Sequence, residues 1–332
     1  MRKKFIFIIV SAIFAFGALF SGCSCAGDKT LAFSINSLNS ETFTYTVSYE
    51  KSYLGTSAEY SDAFFEYGAG EFVTTLKSAE SLADKGSEEI KNIIENTAYV
   101  FTTDFSIDLT ITIGGQPYYH KETVKTTAYF AGAGYSLAPL YATEESEYLN
   151  IGIINSETKA YIIKTETVTN YDKNSFTTSK KFASFDLNET ATLENQEPVV
   201  TTANYAFKTA IDNAELLYAL RGVALNESSS TVLPVISSAY KTPTDLKVTN
   251  ESATTGEFTI NDIKETKSYD TLSFVVNNTD ASGSKQYVKV QSATANAQNA
   301  PLLLEYAKPL IYSDNGNYAS MGWLVFTLSE IA

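Results

Sequence analysis

The sequence contains very little histidine, cysteine and tryptophan: one His, two Cys and one Trp in 332 residues. His120 is the one histidine and no cysteine follows Cys25, so the chain is short of the nitrogen and sulfur ligands that most zinc sites use. A nucleophilic triad with a histidine base would have to use His120. Neither a glycine-rich phosphate loop nor a Gly-x-Ser-x-Gly elbow occurs. We therefore predict no metal and no cofactor.

Positive charge is also scarce in this chain. The 24 basic residues are outnumbered by 38 acidic ones, which gives a net charge of −14 and a pI near 4.6. A phosphate backbone repels such a surface, so we predict no nucleic-acid partner. Aromatic residues, in contrast, are abundant, with 22 Tyr and 20 Phe. A disordered chain would not carry so many, and the composition predicts a folded protein.

The amino terminus combines a basic start with an apolar run. Residues 2–4 are basic, and residues 5–20 are almost wholly apolar. A run of about 16 residues is short for a lasting membrane span, which needs roughly 20. Small residues follow the run, as they do before a cleavage site. We predict that residues 1–22 are a signal peptide.

The end of that segment, Leu19-Phe20-Ser21-Gly22-Cys23, resembles the lipobox of exported bacterial lipoproteins, with Phe20 where leucine is usual. The resemblance implies that Cys23 is the first mature residue and carries acyl chains. Two or three chains would anchor the protein stably to the outer face of the bacterial cytoplasmic membrane. Residues 23–30 would then form a short tether. Two alternatives stay open: a secretory signal cut elsewhere, and an uncleaved signal anchor.

Residues 99–113 alternate between apolar and polar side chains. The odd positions are apolar or aromatic except Thr103, and most even positions are polar. This period of two is typical of a strand with one buried face. The run would be about 50 Å long at about 3.3 Å per residue, and so long a strand predicts a strongly curled sheet. We predict that its concave face includes Phe101, Phe105, Ile107 and Leu109.

Other segments share this β-branched and aromatic composition between turn-forming residues. They are 118–130, 159–170, 175–185, 257–260, 272–276, 287–290 and 318–328. The fold class predicted is mainly β: a large curved antiparallel sheet or half-barrel with one or two short covering helices. We expect residues 31–332 to form a single β-rich domain, with the surface loop 189–200 as the one candidate division.

Two segments depart from the β period. Residues 87–96 carry isoleucines at helical spacing, which predicts a short helix. In residues 212–221, Asp212 can cap a helix and Glu215 stands where a capping box needs an acid. The leucines at 216, 217 and 220 form one apolar face. This pattern predicts a three-turn amphipathic helix that covers the open face of the sheet.

The same segment carries the pattern Asp-x-x-x-x-Leu-Tyr-x-Leu-Arg, from Asp212 through Tyr218 to Arg221. It resembles a helix of a family of exported β-rich bacterial proteins of unknown function, which is similar in outline to the LolA/LolB-type lipoprotein carriers. The resemblance covers roughly residues 200 to 260. It implies a curved half-barrel with a helix across the opening, and it implies no activity.

Few side chains in the sequence suggest a site. Tyr218 and Arg221 lie three residues apart and so share a helix face. They predict either a structural contact to the sheet or a polar clamp at the mouth of a ligand cavity. Residues 314–317 superficially suggest calcium, but their spacing does not match a twelve-residue calcium loop and predicts a β-turn. We expect His120 to be a surface or strand-end side chain.

The prediction for function is a non-enzymatic, membrane-anchored extracytoplasmic lipoprotein. Its concave sheet would bind an acyl chain or another amphipathic ligand. One alternative is a structural or partner-binding module of the cell envelope without a cavity. Another is a carboxylate-dependent hydrolase, which needs two acids about 5 to 10 Å apart, one with a raised pKa.

Overall fold

A computed structural model describes most of the chain from residue 40 onwards. The described residues are 7–8, 40–51, 63–78, 98–133, 136–154, 157–187, 189, 192–205, 210–221, 230–236, 244–260, 265–278, 285–291, 301–314 and 317–332. Cys23, the tether, the predicted helix at 87–96 and all of the predicted signal peptide except residues 7–8 lie outside them. No helix in the described part of the chain is long and apolar enough to cross a membrane.

The predicted fold class is confirmed: the chain forms one large, mostly antiparallel sheet that does not close into a barrel, with one short α-helix among the described residues. The strands are β1 (Phe7–Ile8), β2 (Glu41–Lys51), β3 (Ala63–Ser78), β4 (Ala98–Ile113), β5 (Gln116–Ala133), β6 (Ser136–Ile154), β7 (Glu157–Tyr171), β8 (Ser175–Asp186), β9 (Val199–Asn204), β10 (Ile211–Asp212), β11 (Ser230–Ile236), β12 (Thr244–Ile260), β13 (Glu265–Asn278), β14 (Lys285–Gln291), β15 (Leu303–Asp314) and β16 (Asn317–Ile331).

The strands form a meander in which the second half of the chain, ending in β16, continues into the first half through β2. It runs β10-β11-β12-β13-β14-β15-β16-β2-β3-β4-β5-β6-β7-β8-β9, and β1 pairs with β6 off this path. Only β10 and β11 pair in parallel among the described strands. The two ends of the path, β9 and β10, are consecutive in the chain, and β10 lies against β6. The sheet therefore rolls round until one end lies on an earlier strand.

The curvature can be measured from an aromatic contact. Phe105 on β4 and Phe326 on β16 have ring centroids 5.7 Å apart, although β2 and β3 lie between their strands. Three strand spacings in a flat sheet would separate them by about 14 Å. Phe72 on β3 and Tyr306 on β15 also contact the Phe326 ring, at 5.4 and 5.5 Å. The inner face of the rolled sheet is therefore the hydrophobic core.

Strand β4 confirms the period-two prediction, since its odd positions from Tyr99 to Ile111 are buried. A two-residue turn, Gly114-Gly115, joins it to β5 with φ angles of 56° and 82°. Both residues need positive φ in such a hairpin, which glycine adopts without strain. Gly70 on β3 has a different role, because a Cβ there would lie 2.7 Å from the Ser106 carbonyl oxygen across a bulge.

The predicted helix is present with a different first turn. A 3₁₀ turn, Asn213–Glu215, precedes helix α1, Leu216–Arg221. Asp212 caps it as predicted, since its Oδ1 accepts a hydrogen bond of 2.7 Å from the Ala214 amide. The capping box is wrong: the Glu215 side chain is fully buried and does not reach back to the cap. The turn and α1 lie on the inner face, against β4, β5 and β15.

Several strands were not predicted from the sequence: β2, β3, β6, β11 and β15. The surface loop expected at 189–200 is shorter than predicted, because Val199 already begins β9 and β9 pairs with β8. The turn expected at 314–317 falls where β15 ends and β16 begins.

Candidate functional site

The four side chains predicted for the concave face are all inside the rolled sheet. Phe101, Phe105, Ile107 and Leu109 are each no more than 3% exposed and belong to one hydrophobic cluster. The Tyr218 ring of α1 lies 5.8 Å from the Phe101 ring. This apolar wall is thus covered by the helix on one side and by Phe326 on the other.

Tyr218 and Arg221 both face the interior, and Arg221 joins three elements. Its side chain is 4% exposed and forms an ion pair with the Glu41 carboxylate on β2. It also donates a hydrogen bond of 2.7 Å to the Pro301 carbonyl oxygen. The guanidinium lies 4.8 Å from the centre of the Phe43 ring, which is a cation–π distance. Arg221 therefore fixes the end of α1 to the sheet.

A second part of the inner face is polar. Hydroxyl pairs on neighbouring strands hydrogen-bond to each other: Thr103 with Thr126 at 2.7 Å, Ser146 with Thr165 at 2.6 Å, and Thr169 with Thr178 at 3.4 Å. These buried pairs run from β4 across to β8. The inner face of the sheet therefore carries phenylalanine, isoleucine and leucine on β4 and is lined by hydroxyl groups on β7.

Three ionisable side chains interact electrostatically beside this polar wall, each of two carboxyls with one lysine. Glu122 on β5 is fully buried, Lys308 on β15 is 3% exposed, and Glu144 on β6 is partly buried. Burial raises the pKa of Glu122 to about 8 and that of Glu144 to about 7. A backbone hydrogen bond from Leu149 opposes the first rise, the charge of Lys180 opposes the second, and the charge of Lys308 opposes both to a smaller extent. Burial lowers the pKa of Lys308 to about 7, against the pull of both carboxylates.

Lys308 and Glu122 interact across the interior of the rolled sheet rather than between neighbouring strands. Their strands are five positions apart in the sheet order, which would be about 24 Å in a flat sheet. Tyr148 on β6 also belongs to this group, since burial and then the charges of Glu122 and Glu144 raise its pKa to about 12. We call Glu122, Glu144, Tyr148 and Lys308 the interior ionic cluster.

A third group of polar side chains surrounds the start of the helix. The Tyr171 hydroxyl donates a short hydrogen bond to Asp212 Oδ2, and Glu215 follows on the 3₁₀ turn. Burial raises the pKa of Asp212 to about 6, and burial together with the charge of Asp212 raises that of Glu215 well above its usual value. Asp212 also raises the pKa of Glu144, so this group adjoins the interior ionic cluster.

Among the described residues, no group of three or more His, Cys, Asp or Glu side chains is placed to hold a metal ion. His120 lies within β5 rather than at a strand end, with Nε2 3.7 Å from Glu147 Oε1. Burial lowers the pKa of this histidine, and Glu147 opposes the shift.

Comparison with known proteins assigns no family. No protein-family model matches the sequence, and no curated protein does. A solved structure, the β-barrel-like protein of the domain of unknown function DUF1849 from Brucella abortus, is similar at 8% identity with a TM-score of 0.43, covering 89% of this chain and 97% of that one. We therefore argue function from this chain's own side chains.

Sequence reasoning missed the interior ionic cluster, although one signal was available. Glu122 stands in the same alternating row as Val124, Ala128 and Phe130, which are all buried. An acid in an inward row is a sign of a buried polar site. Lys308 occupies the equivalent place between Tyr306 and Leu310 on β15.

Proposed function

We propose that this protein is a non-enzymatic lipoprotein, anchored through Cys23 to the outer face of the bacterial cytoplasmic membrane, whose rolled sheet binds an amphipathic ligand. The observation that carries the proposal is the burial of Lys308 with Glu122 and Glu144 beside an apolar wall. The ionic cluster would take the polar part of the ligand, and the wall from Phe101 to Leu109 its hydrocarbon part.

The proposal has a physical reason: a buried ionic cluster is not the arrangement that would stabilise the fold most. Desolvation of such groups costs several kcal/mol each, and apolar side chains of the same volume are often as stabilising or more so. Buried titratable groups with shifted pKa values, next to apolar surface, are typical of binding sites. Glu122 and Glu144 lie on the neighbouring strands β5 and β6, and β15 with Lys308 reaches them only because the sheet rolls up.

Helix α1 covers the apolar wall, so a hydrocarbon chain could reach the wall only by displacing part of the helix. Tyr218 fills the space above Phe101 and Phe130, at ring distances of 5.8 and 5.6 Å. A ligand chain on this wall takes the place of the Tyr218 ring. Binding therefore requires α1 to shift, and the ligand must offset the contacts that Arg221 makes at its end.

The test is calorimetric titration of the mature chain with dodecyl maltoside and dodecanoate below their micellar concentrations. We expect both to bind, and we expect Lys308→Met to weaken dodecanoate at least tenfold. The matched control is Lys125→Met, because Lys125 lies on β5 with a side chain that is 61% exposed. If neither amphiphile binds to the folded chain, the ligand-binding proposal is wrong.

A second candidate, a partner-binding module, is favoured by strand β9. Within the described part of the chain β9 ends the sheet path, and its Val199 and Val200 are 71% and 61% exposed. An uncharged edge strand of this kind can pair with a strand of another protein. A photo-crosslinker at position 200 in living cells should trap one partner, and Thr201→Pro should abolish the crosslink.

The hydrolase alternative has less support. Glu122 and Glu144 both have raised pKa values, as a general acid requires. However, Glu144 is level with Thr126, four residues along β5 from Glu122. Their Cα atoms are therefore about 13 Å apart along the strands. Such a spacing suits two ends of a binding site better than a carboxylate pair around one bond.

A further inference from the structure

The polar group at the start of the helix contains buried oxygens without hydrogen-bond partners. Asp212, Glu215, Tyr171 and Tyr205 are all at most 7% exposed. In the part of the chain that the structure describes, Glu215 Oε1, Glu215 Oε2 and the Tyr205 hydroxyl oxygen make no hydrogen bond. A buried polar atom left in this state costs about 1–3 kcal/mol. Three such atoms in one group point to a bound donor.

The buried carboxyls of this group would be stabilised by a bound cation. Asp212 is held by the Tyr171 hydroxyl and the Ala214 amide, which are both neutral donors. No ion pair joins either carboxylate to a basic side chain among the described residues, whereas Glu122 and Glu144 have Lys308. Two neighbouring buried carboxyls without a counter-charge cannot both ionise unless a cation enters.

Aromatic rings complete the surroundings. Tyr171, Phe176 and Tyr205 form a mutually contacting trio, with ring centroids 5.6 to 6.1 Å apart. Aromatic faces attract organic cations through the ring quadrupole, and the attraction is larger where water is excluded. Carboxylates together with aromatic faces are therefore matched to an organic ammonium group rather than to an anion or a sugar.

We propose that Glu215, Asp212 and Tyr205 bind the primary ammonium group of an amphipathic ligand. An –NH₃⁺ group has three donors, which equals the number of unpartnered oxygens on Glu215 and Tyr205. The inference rests on the proposed function and adds a cation site, next to the interior ionic cluster, for an ammonium in the polar part of the ligand. The 3₁₀ turn leads directly into α1, whose Tyr218 lies on Phe101 of the apolar wall, and the proposal therefore places the hydrocarbon chain along that wall.

The experiment compares four dodecyl amphiphiles on the full mature chain at pH 8: dodecylammonium, dodecyltrimethylammonium, dodecanoate and dodecyl maltoside. We expect dodecylammonium to bind at least tenfold more tightly than the other three. Glu215→Gln should remove this preference and leave the affinity for dodecyl maltoside unchanged. Ethanolamine, which lacks a chain, should bind far more weakly than dodecylammonium.

The acidic surface of this protein makes a charge control necessary. Glu145→Gln removes one exposed carboxylate on β6 and changes the formal net charge by the same amount as Glu215→Gln. It should retain the preference for dodecylammonium. Tyr205→Phe removes one acceptor without changing charge, and we expect it to lower the preference at least threefold, even where Glu215→Gln does not fold.

The outcomes separate the two proposals. Binding of all four amphiphiles with equal affinity would overturn the ammonium site and leave the proposed function standing. A preference that survives in both Glu215→Gln and Tyr205→Phe would also overturn it, because net charge alone would then explain it. Binding of no amphiphile would contradict the proposed function itself. Circular dichroism of each variant identifies those that are folded.

Discussion

Arg221, the last residue of α1, forms an ion pair with Glu41, the first residue of β2, across a sequence separation of 180 residues. Both guanidinium nitrogens Nη1 and Nη2 take part, so the contact is bidentate. Such a fork of two parallel bonds has a defined direction as well as energy. The helix is therefore attached to the strand at which the two halves of the sheet join, next to β16.

Breaking this pair should destabilise the fold. Glu41→Ala leaves the guanidinium buried without its carboxylate, and we expect a loss of about 3 kcal/mol in the free energy of unfolding. Urea denaturation measures it. The control is Asp104→Ala, whose partner Lys125 is largely exposed, and it should cost less than about 1 kcal/mol. Equal losses for the two variants would show that Arg221 contributes no more than a surface contact.

Leu109→Ala tests how tightly the apolar wall is packed. Leu109 is 1% exposed in the core cluster, and truncation of such a leucine costs about 2–5 kcal/mol because a cavity remains. Tyr119 on the adjacent strand is 76% exposed, and Tyr119→Ala should change stability by less than about 0.5 kcal/mol. A cost below 1 kcal/mol for Leu109→Ala would mean that the wall borders open space.

Glu122 makes stability depend on pH in a predictable direction. Burial raises its pKa from 4.5 to about 8, so folding takes up a proton between these values. Its contribution to stability is complete below pH 4.5 and is lost as the pH rises toward 8. Wild type and Glu122→Gln should therefore be similar at pH 5, and the variant should be more stable at pH 8 by several kcal/mol, at about 1.4 kcal/mol per unit of pKa difference.

Other groups in the interior contribute to the same curve and are common to both proteins. Glu144, Asp212 and Glu215 also have raised pKa values and act in the same direction as Glu122. Lys308 acts oppositely, because its lowered pKa makes folding more favourable as the pH rises above about 7. The difference between wild type and Glu122→Gln reports Glu122 together with its effect on the pKa of Lys308, and a difference that stays constant from pH 5 to 8 would contradict its buried titration.

The fold was predictable where one face is uniformly apolar. Strand β4 shows seven buried odd positions in a row, and period two is then unmistakable. Strand β6 was missed for the opposite reason. A register shift against β5 near Leu140 interrupts its period of two, and beyond Ala142 its inner face continues with Glu144 and Ser146, so hydrophobic alternation is lost.

The site could not be assembled from the sequence because curvature brings it together. Glu122 and Lys308 are adjacent neither in the chain nor in the strand order. Asp212 was enough to predict the helix cap, but the sequence did not predict that the Glu215 side chain points into the interior. A capping box and a buried acid share the same sequence pattern, and only tertiary packing decides between them.

The anchor is tested by exchange of one cysteine for serine. Cys23→Ser removes the sulfur that the lipobox resemblance assigns to acylation, so the protein should move from the membrane to the aqueous phase in detergent partitioning. Cys25→Ser changes the same element two residues later and should leave partitioning unchanged. Mass spectrometry of the mature amino terminus reads the acyl chains directly. An unmodified cysteine, or a chain cut at another position, would refute the anchor. The description of the sheet and its interior cluster would still stand, because residue 23 lies outside the described residues on which it rests.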